Sequence, residues 1–263
     1  MRVIDWETFA DSGINSNEPV SFTTGVFDGV HRGHRQLIDC LKSMDGLKPV
    51  LATFAENPFR LLRPDVYRGD ICSLDQKLEL LRAAGCWTVI VIDFSLEFSK
   101  LSGRDFFAYI MKHLNLGHLV LGKDHKLGNK GDTSAVQAKE MLEPLGVAVD
   151  IVQPLIDDGK PVSSTRIRGA VEDGNLDIVK NLLGRRYRLD LRGIKIENEN
   201  GSPFLWRNEI KQVMPFKGKY AVDLENGSNA FAAKINMLED RLVFENCPDF
   251  QAETLTFNSF LQE

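Results

Sequence analysis

The run Trp87-Thr88-Val89-Ile90-Val91-Ile92-Asp93-Phe94 constrains the fold more than any other stretch. Its apolar side chains follow one another without the alternation of a strand that has one wet face. Both faces must therefore be covered, as in a parallel sheet flanked by helices. Residues 20–24, 48–54, 118–122 and 147–152 read as further strands. Helical patterns separate them: one reaches about Met44, one runs from about Gly103 to Asn115, and one from about Thr133 to Glu143, stopped by Pro144. Another opens at Ser73-Leu74-Asp75-Gln76, with capping-box spacing, and closes at Gly85. Residues 1–19 read as an irregular lead-in. Alternating strands and helices predict an α/β fold with a doubly wound parallel sheet, in which ligands bind beyond the carboxyl ends of strands where strand order reverses.

Past Tyr187 the pattern changes to short strands and turns. Residues 189–191, 194–196, 219–224, 230–235, 241–244 and 254–260 read as strands, with turn signals at Asn198-Glu199-Asn200-Gly201 and Glu225-Asn226-Gly227-Ser228. The expected domains are residues 1–187 and a smaller β domain over residues 188–263; a chain of 263 residues is long enough for both. No apolar run approaches the roughly 18 residues of a membrane span, and the N-terminus lacks the apolar core of a signal peptide. Cys40, Cys72, Cys86 and Cys247 show no CxxC spacing, so free thiols in a cytoplasmic, reducing setting are expected. A net charge of −5 argues against nucleic-acid or anionic-membrane partners, while leaving room for a local basic site.

The chemistry concentrates in Thr24-Gly25-Val26-Phe27-Asp28-Gly29-Val30-His31-Arg32-Gly33-His34, the turn from the strand at residues 20–24 into a helix. Glycines allow close backbone approach, and a helix start offers free N–H groups with a partial positive charge. His31 and His34, three apart, can share one face there and donate to phosphate oxygens. The competing readings are a zinc site, which lacks a third ligand in the sequence, and a plain pair of capping or surface histidines. Ser163-Ser164-Thr165-x-x-Arg168 is a second constellation; a hydroxyl there either caps a helix or joins Arg168 in binding phosphate. Asn57-Pro58 and the loop from Asp124 to Asp132 are substrate-binding candidates whose plain readings are a turn and a solvated connection. Trp87, Phe106 and Phe107 read as core. The absence of GxxxxGK[ST] excludes a P-loop kinase, and no GxGxxG follows the first of these strands.

Gly25-x-Phe27-Asp28-Gly29-Val30-His31-x-Gly33-His34, taken with Ser163-Ser164-Thr165-x-Ile167-Arg168, resembles the bacterial bifunctional riboflavin kinase/FMN adenylyltransferase (FAD synthetase) family. The likeness continues through Thr53-Phe54-x-x-Asn57-Pro58, Phe98-x-x-Leu101-Ser102 with Phe106, and Leu182-Leu183-Gly184-Arg185-x-Tyr187, spanning nearly all of residues 20–187. The resemblance implies a Rossmann-like nucleotidyltransferase domain that transfers AMP from MgATP to FMN, giving FAD and pyrophosphate, followed by a β-barrel-like domain. It implies that His31 and His34 contact ATP phosphates and that Gly25, Phe27, Asp28 and Gly33 shape the nucleotide site. It further implies that Ser163, Ser164, Thr165 and Arg168 close over the triphosphate, and that Asn57 and the Asp124 loop border the ligands. No protein metal ligands are implied; Mg2+ arrives on the ATP phosphates.

Two departures from the family stand out. Its Gly-x-Asp/Asn-Phe-x-Phe-Gly loop reads here Gly122-Lys123-Asp124-His125-Lys126-Leu127-Gly128, losing two aromatic positions and opening the alternative of another phosphorylated acceptor. Its kinase segment Gly-Arg-x-Leu-Gly-Phe-Pro-Thr-Ala-Asn has no counterpart in residues 188–220, although Phe244-Glu245-x-x-x-Asp249-Phe250 resembles the segment carrying the family's base. The implied C-terminal domain is therefore a degenerate barrel without kinase activity. A non-catalytic nucleotide- or flavin-binding protein is the alternative of a different class.

Overall fold

The computed structural model describes residues 1–227, 229–245 and 251–261. Ser228 of the expected turn, Cys247, and Asp249 with Phe250 lie outside the described residues. The chain forms two compact units, Met1–Tyr67 with Lys77–Pro161, and Arg68–Gln76 with Val162–Glu263.

In order, the first unit contains β1 (Arg2–Asp5), α1 (Trp6–Ser12), β2 (Pro19–Thr24), α2 (Arg32–Leu41), β3 (Lys48–Phe54), α3 (Leu74–Ala83, from Lys77 onward), β4 (Thr88–Ile92), α4 (Gly103–His113), β5 (Asn115–Gly122), α5 (Ala135–Leu142) and β6 (Ala148–Val152). The six strands are all parallel, in the order β1-β4-β3-β2-β5-β6. This is the α/β, Rossmann-like sheet expected from the sequence. Its two faces carry separate cores. Phe22, Val50, Ala52, Ile90, Ile92, Leu119 and Leu121 pack with Phe9 of α1, Phe106, Phe107 and Ile110 of α4, and Ala138 and Leu142 of α5. Leu51 and Val89 pack on the other face with Ile38 of α2 and Leu81 of α3. Residues of β4 alternate between the two cores, which is why no polar position interrupts them. Each buried Leu, Ile, Val or Phe contributes about 1.5–3 kcal/mol of transfer free energy.

Residues 1–19 are not the irregular lead-in expected. Arg2–Asp5 is an edge strand on β4, and the Asp5 carboxylate caps α1 by accepting the Thr8 N–H at 2.8 Å. Only Ile4 of that strand is buried, so no period was there to read.

Chain direction fixes the place of a ligand site. From β2 the chain steps outward through β3 to β4, then returns to lay β5 on the other side of β2. Strand order reverses between β2 and β5, the position where open α/β sheets leave a crevice. Residues 25–31 follow β2, residues 123–132 follow β5, and Asn57 lies just beyond β3.

The second unit contains α6 (Ser164–Glu172), α7 (Leu176–Leu183) and an antiparallel sheet of β7 (Arg188–Asp190), β8 (Glu197–Glu199), β9 (Ser202–Trp206), β10 (Gly218–Asn226), β11 (Asn229–Met237), β12 (Arg241–Glu245) and β13 (Thr254–Leu261). Its order is β7-β13-β10-β11-β12-β9-β8, and β7 does not pair with β8 among the described residues. The strand expected at residues 194–196 is absent; the Ile194 N–H closes a turn onto Leu191 O. The strand falls instead at Glu197–Glu199, an edge strand whose polar side chains carry no alternation. It joins β9 through Asn200 (φ 53°) and Gly201 (φ 82°), a left-handed pair suited to a two-residue hairpin.

The compact units part at Pro161/Val162, upstream of the boundary near residue 187 expected from composition. The reason is visible in the bonds of the intervening segment. Arg168 Nε donates to Gly69 O at 2.8 Å, Tyr187 OH to Val213 O at 2.6 Å, and Arg186 pairs with Asp223 at 3.1 Å. Ser73 and Gln76 form the expected capping box, with the Gln76 N–H donating to Ser73 Oγ at 3.1 Å. Among the described residues no helix is long and apolar enough to cross a membrane.

Candidate functional site

The turn after β2 is stitched to β3 before it reaches α2. The Gly25 N–H donates to Ala52 O at 3.1 Å, and Thr53 Oγ1 donates to Val26 O at 2.9 Å. Phe27 (φ 50°), Gly29 (φ 75°) and Val30 (φ 38°) then take left-handed backbone conformations. Only glycine does so freely, and a β-branched residue there costs about 1–3 kcal/mol. The buried Phe27 and Val30 side chains, packed with Ile38, Leu51 and Val89, offset that cost.

His31 is the N-cap of α2, its Nδ1 accepting the His34 N–H at 3.3 Å. With Nδ1 an acceptor, the neutral imidazole carries its hydrogen on Nε2. The His31 and His34 rings stack, centroids 3.6 Å apart and 15° from parallel, and Phe27 contacts His34 with centroids 4.9 Å apart. The histidine spacing thus does more than place two side chains on one face: it stacks them at a helix N-terminus. That first turn carries no acidic side chain, so the positive end of the helix dipole is not neutralised within it. Asp28 and His31 are buried, Gly33 and His34 half-buried, and Arg32 pairs with Asp157 at 3.3 Å.

Asn57 is buried beyond β3, its Oδ1 accepting the Phe59 N–H at 3.1 Å and so starting a short helical turn. Two contributors were hidden in the sequence. Thr53 enters the sequence reading only as a strand residue within the family likeness, with no sign of its bond to Val26, and nothing in the sequence singles out Lys77. Lys77 is only 3% exposed, and its Nζ donates to Phe54 O at 2.8 Å, holding the carboxyl end of β3.

Asp124 is exposed on the loop after β5. Next to it, His125 Nε2 is buried without a hydrogen-bond partner, and burial pushes the imidazole pKa down to about 4. The unfolded chain, with His125 near 6.5, therefore binds a proton that the folded chain refuses until about pH 4. Stability falls as pH drops from 6.5 towards 4, by on the order of 2–3 kcal/mol from this group. His125→Phe is expected to remove that component. Urea unfolding of both proteins at pH 7 and pH 5 checks it, since the difference between them narrows or reverses sign only if His125 is the group involved.

In the second unit, Ser163 caps α6 by accepting the Arg166 N–H at 3.3 Å. The cap role is filled one residue before Ser164, so the Ser164 and Thr165 hydroxyls are not consumed by it. Thr165 is exposed, Ser164 and Arg168 are half-buried, and Gly69 O fixes the Arg168 guanidinium through Nε. The structure thus gathers Gly25, Phe27, Asp28, His31, Gly33 and His34 into one turn, with Asn57 and Asp124 following the flanking strands. Ser163, Ser164, Thr165 and Arg168 form a separate group at the start of α6.

Residues 13–166 match the family model described as FAD synthetase. The bifunctional riboflavin kinase/FMN adenylyltransferase of Escherichia coli (strain K12) is 32% identical over 212 residues, covering 77% of this chain and 67% of that protein. The protein of the same name from Bacillus subtilis (strain 168) is 27% identical over 250 residues, covering 91% of this chain and 78% of its own. Among solved structures, one described as a macrolide-efflux protein from Streptococcus pneumoniae is similar with a TM-score of 0.82 at 25% identity, over 100% of this chain and 92% of that one. The family match covers the whole parallel sheet from β2 to β6, including the strained turn with its stacked histidines, and this chain belongs to the FAD synthetase family.

Proposed function

We propose that the chain is an FMN adenylyltransferase, transferring AMP from MgATP to FMN with release of pyrophosphate, and that it does not phosphorylate riboflavin. The observation that carries the reading is the stacked His31–His34 pair at the N-terminus of α2, where strand order reverses. The reaction is an in-line displacement at the α-phosphorus. One oxygen of the FMN phosphate forms the new P–O bond as the bond to pyrophosphate breaks. The attacking group is already an anion, so no protein nucleophile or base is required; positioning and charge stabilisation supply the catalysis.

His31 and His34 donate to the phosphate oxygens as negative charge shifts onto the leaving pyrophosphate. Gly25, Phe27, Asp28 and Gly33 shape the nucleotide site, and Asn57 and Asp124 border the acceptor. Ser163, Ser164, Thr165 and Arg168 are assigned to the triphosphate on the family pattern alone. Mg2+ enters bound to ATP. Among the described residues the one His/Cys/Asp/Glu group with converging ligand atoms is Cys40, His118 and Asp150, whose nitrogen and sulfur donors do not suit Mg2+. The free thiols of Cys40, Cys72 and Cys86 fit a cytoplasmic enzyme.

Loss of the kinase step rests on the missing segment in residues 188–220. Glu245, the residue that resembles the family's base, pairs with Lys219 at 3.3 Å. The test is to supply MgATP with FMN, then with riboflavin, and to follow FAD, FMN and pyrophosphate. FAD and pyrophosphate in equal amounts from FMN, and no FMN from riboflavin, are the expected results. FMN formed from riboflavin overturns the reading of the second unit. The altered loop around His125 supports a second reading, another phosphorylated acceptor; pyrophosphate released with such an acceptor but not with FMN would establish it. ATP binding without any turnover would make the chain a binding protein.

A further inference from the structure

The sheet face covered by α2 holds a polar cluster that adenylyl transfer does not use. Ser21 on β2 and His118 on β5 are directly paired across the sheet, and Asp150 on β6 is two residues past Ala148, the partner of His118 on the other side. All three alternate with Phe22, Leu119 and Val149, which face the opposite core. Ser21 and His118 are wholly buried. Ser21 Oγ lies 2.8 Å from His118 Nδ1, and His118 Nε2 lies 3.0 Å from Asp150 Oδ2. From the last turn of α2, Cys40 Sγ reaches the same Asp150 oxygen at 3.6 Å.

We infer that Cys40 Sγ, His118 Nε2 and Asp150 Oδ2 are three ligands of a zinc site. These atoms all lie within 4.8 Å of one another. Tetrahedral zinc takes nitrogen and oxygen at about 2.0–2.2 Å and thiolate sulfur at about 2.3 Å, which sets neighbouring ligand atoms about 3.3–3.7 Å apart. The observed separations of 3.0 and 3.6 Å need only small rotations to reach that. Ser21 supplies the support that metal-bound histidines require: on binding, His118 Nε2 exchanges its hydrogen bond with Asp150 for the metal, the ring hydrogen moves to Nδ1, and Ser21 Oγ, 2.8 Å away, accepts it. The Asp150 side chain is 56% exposed, which gives an entry path and room for water as the fourth ligand. Imidazole, thiolate and a single carboxylate together select Zn2+ over Mg2+ or Ca2+. Binding displaces the Cys40 thiol proton to solvent and ties α2, whose N-cap is His31 and whose first turn carries His34, to β5 and β6.

The test uses the full chain stripped with chelator and titrated with Co2+, then with Zn2+. One Co2+ per chain is expected, with a sulfur-to-cobalt charge-transfer band and intense visible bands of four-coordinate metal, both erased by Zn2+. Cys40→Ser is expected to lose the charge-transfer band and to bind about tenfold or more weakly, with unchanged far-UV circular dichroism. Cys72, Cys86 and Cys247 remain in that variant, so a surviving band would locate the thiolate elsewhere and overturn the assignment. Failure of the wild-type chain to bind one Co2+ overturns it equally. Should Cys40→Ser not fold, Asp150→Asn at its exposed position decides: affinity lowered about tenfold supports the site, and unchanged affinity removes it.

Discussion

Replacing His34 by alanine is expected to lower the turnover of FMN adenylylation by about 10²–10³, the scale for losing one oriented donor to a developing anion. The geometry makes this substitution unusually clean. The His34 backbone N–H, not its ring, meets His31 Nδ1, so the cap of α2 survives the change. What disappears is a ring held in contact with both His31 and Phe27. Because the donor matters most as charge moves onto pyrophosphate, kcat should fall much more than KM for ATP rises. His31→Ala is the instructive contrast. It removes a ring and also the N-cap, so it should cost about 1 kcal/mol of stability in addition to turnover. Steady-state FAD formation together with urea midpoints separates the two effects. Turnover of His34→Ala within about threefold of wild type would remove His34 from the mechanism.

The parts of this site that were legible in the sequence are those in which one short segment supplies the whole device. Glycines and histidines within Gly25–His34 announce a tight turn into a helix start, and the unbroken apolar run at β4 announces a sheet covered on both faces. The parts that stayed hidden depend on segments far apart in the chain. Lys77 meets Phe54 O, and Arg32 meets Asp157, through pairings that no local pattern encodes. The left-handed backbone of Val30 is hidden for a related reason: valine disfavours that conformation, and only the surrounding core of Ile38, Leu51 and Val89 enforces it. Edge strands were lost because edges need not bury side chains, as Arg2–Asp5 and Glu197–Glu199 each show. The unit boundary was displaced because composition changes at Tyr187, whereas the bonds of Arg168 and Tyr187 already belong to the second unit.

Gly128→Ala is expected to destabilise the first unit by about 3–5 kcal/mol, the sum of a strained backbone and an overpacked contact. Gly128 sits at φ 81° and ψ −177°, a region that side chains exclude. A Cβ built there would also fall inside contact distance of the Gly103 amide nitrogen and of Asp132 Oδ1. Those two atoms are hydrogen-bonded to each other at 3.0 Å, and Asp132 Oδ1 also accepts from Thr133 Oγ1 at 2.8 Å. Gly103 is equally confined, since its own Cβ would collide with the Thr133 side chain. The loop after β5 is therefore clamped onto the first turn of α4, and alanine must break that clamp. Gly146→Ala is the matched control: its φ is 86°, but a Cβ there meets nothing within 4 Å, so it should lose only about 1 kcal/mol from backbone strain. Urea unfolding of the three proteins side by side tests the argument. If Gly128→Ala loses no more than Gly146→Ala, the clamp does not hold the loop. If it loses several times more, the loop bearing Asp124 and His125 is rigid by construction. On the proposed function, the two aromatic positions missing from the family pattern then bear on the chemistry offered to the acceptor rather than on the loop's placement.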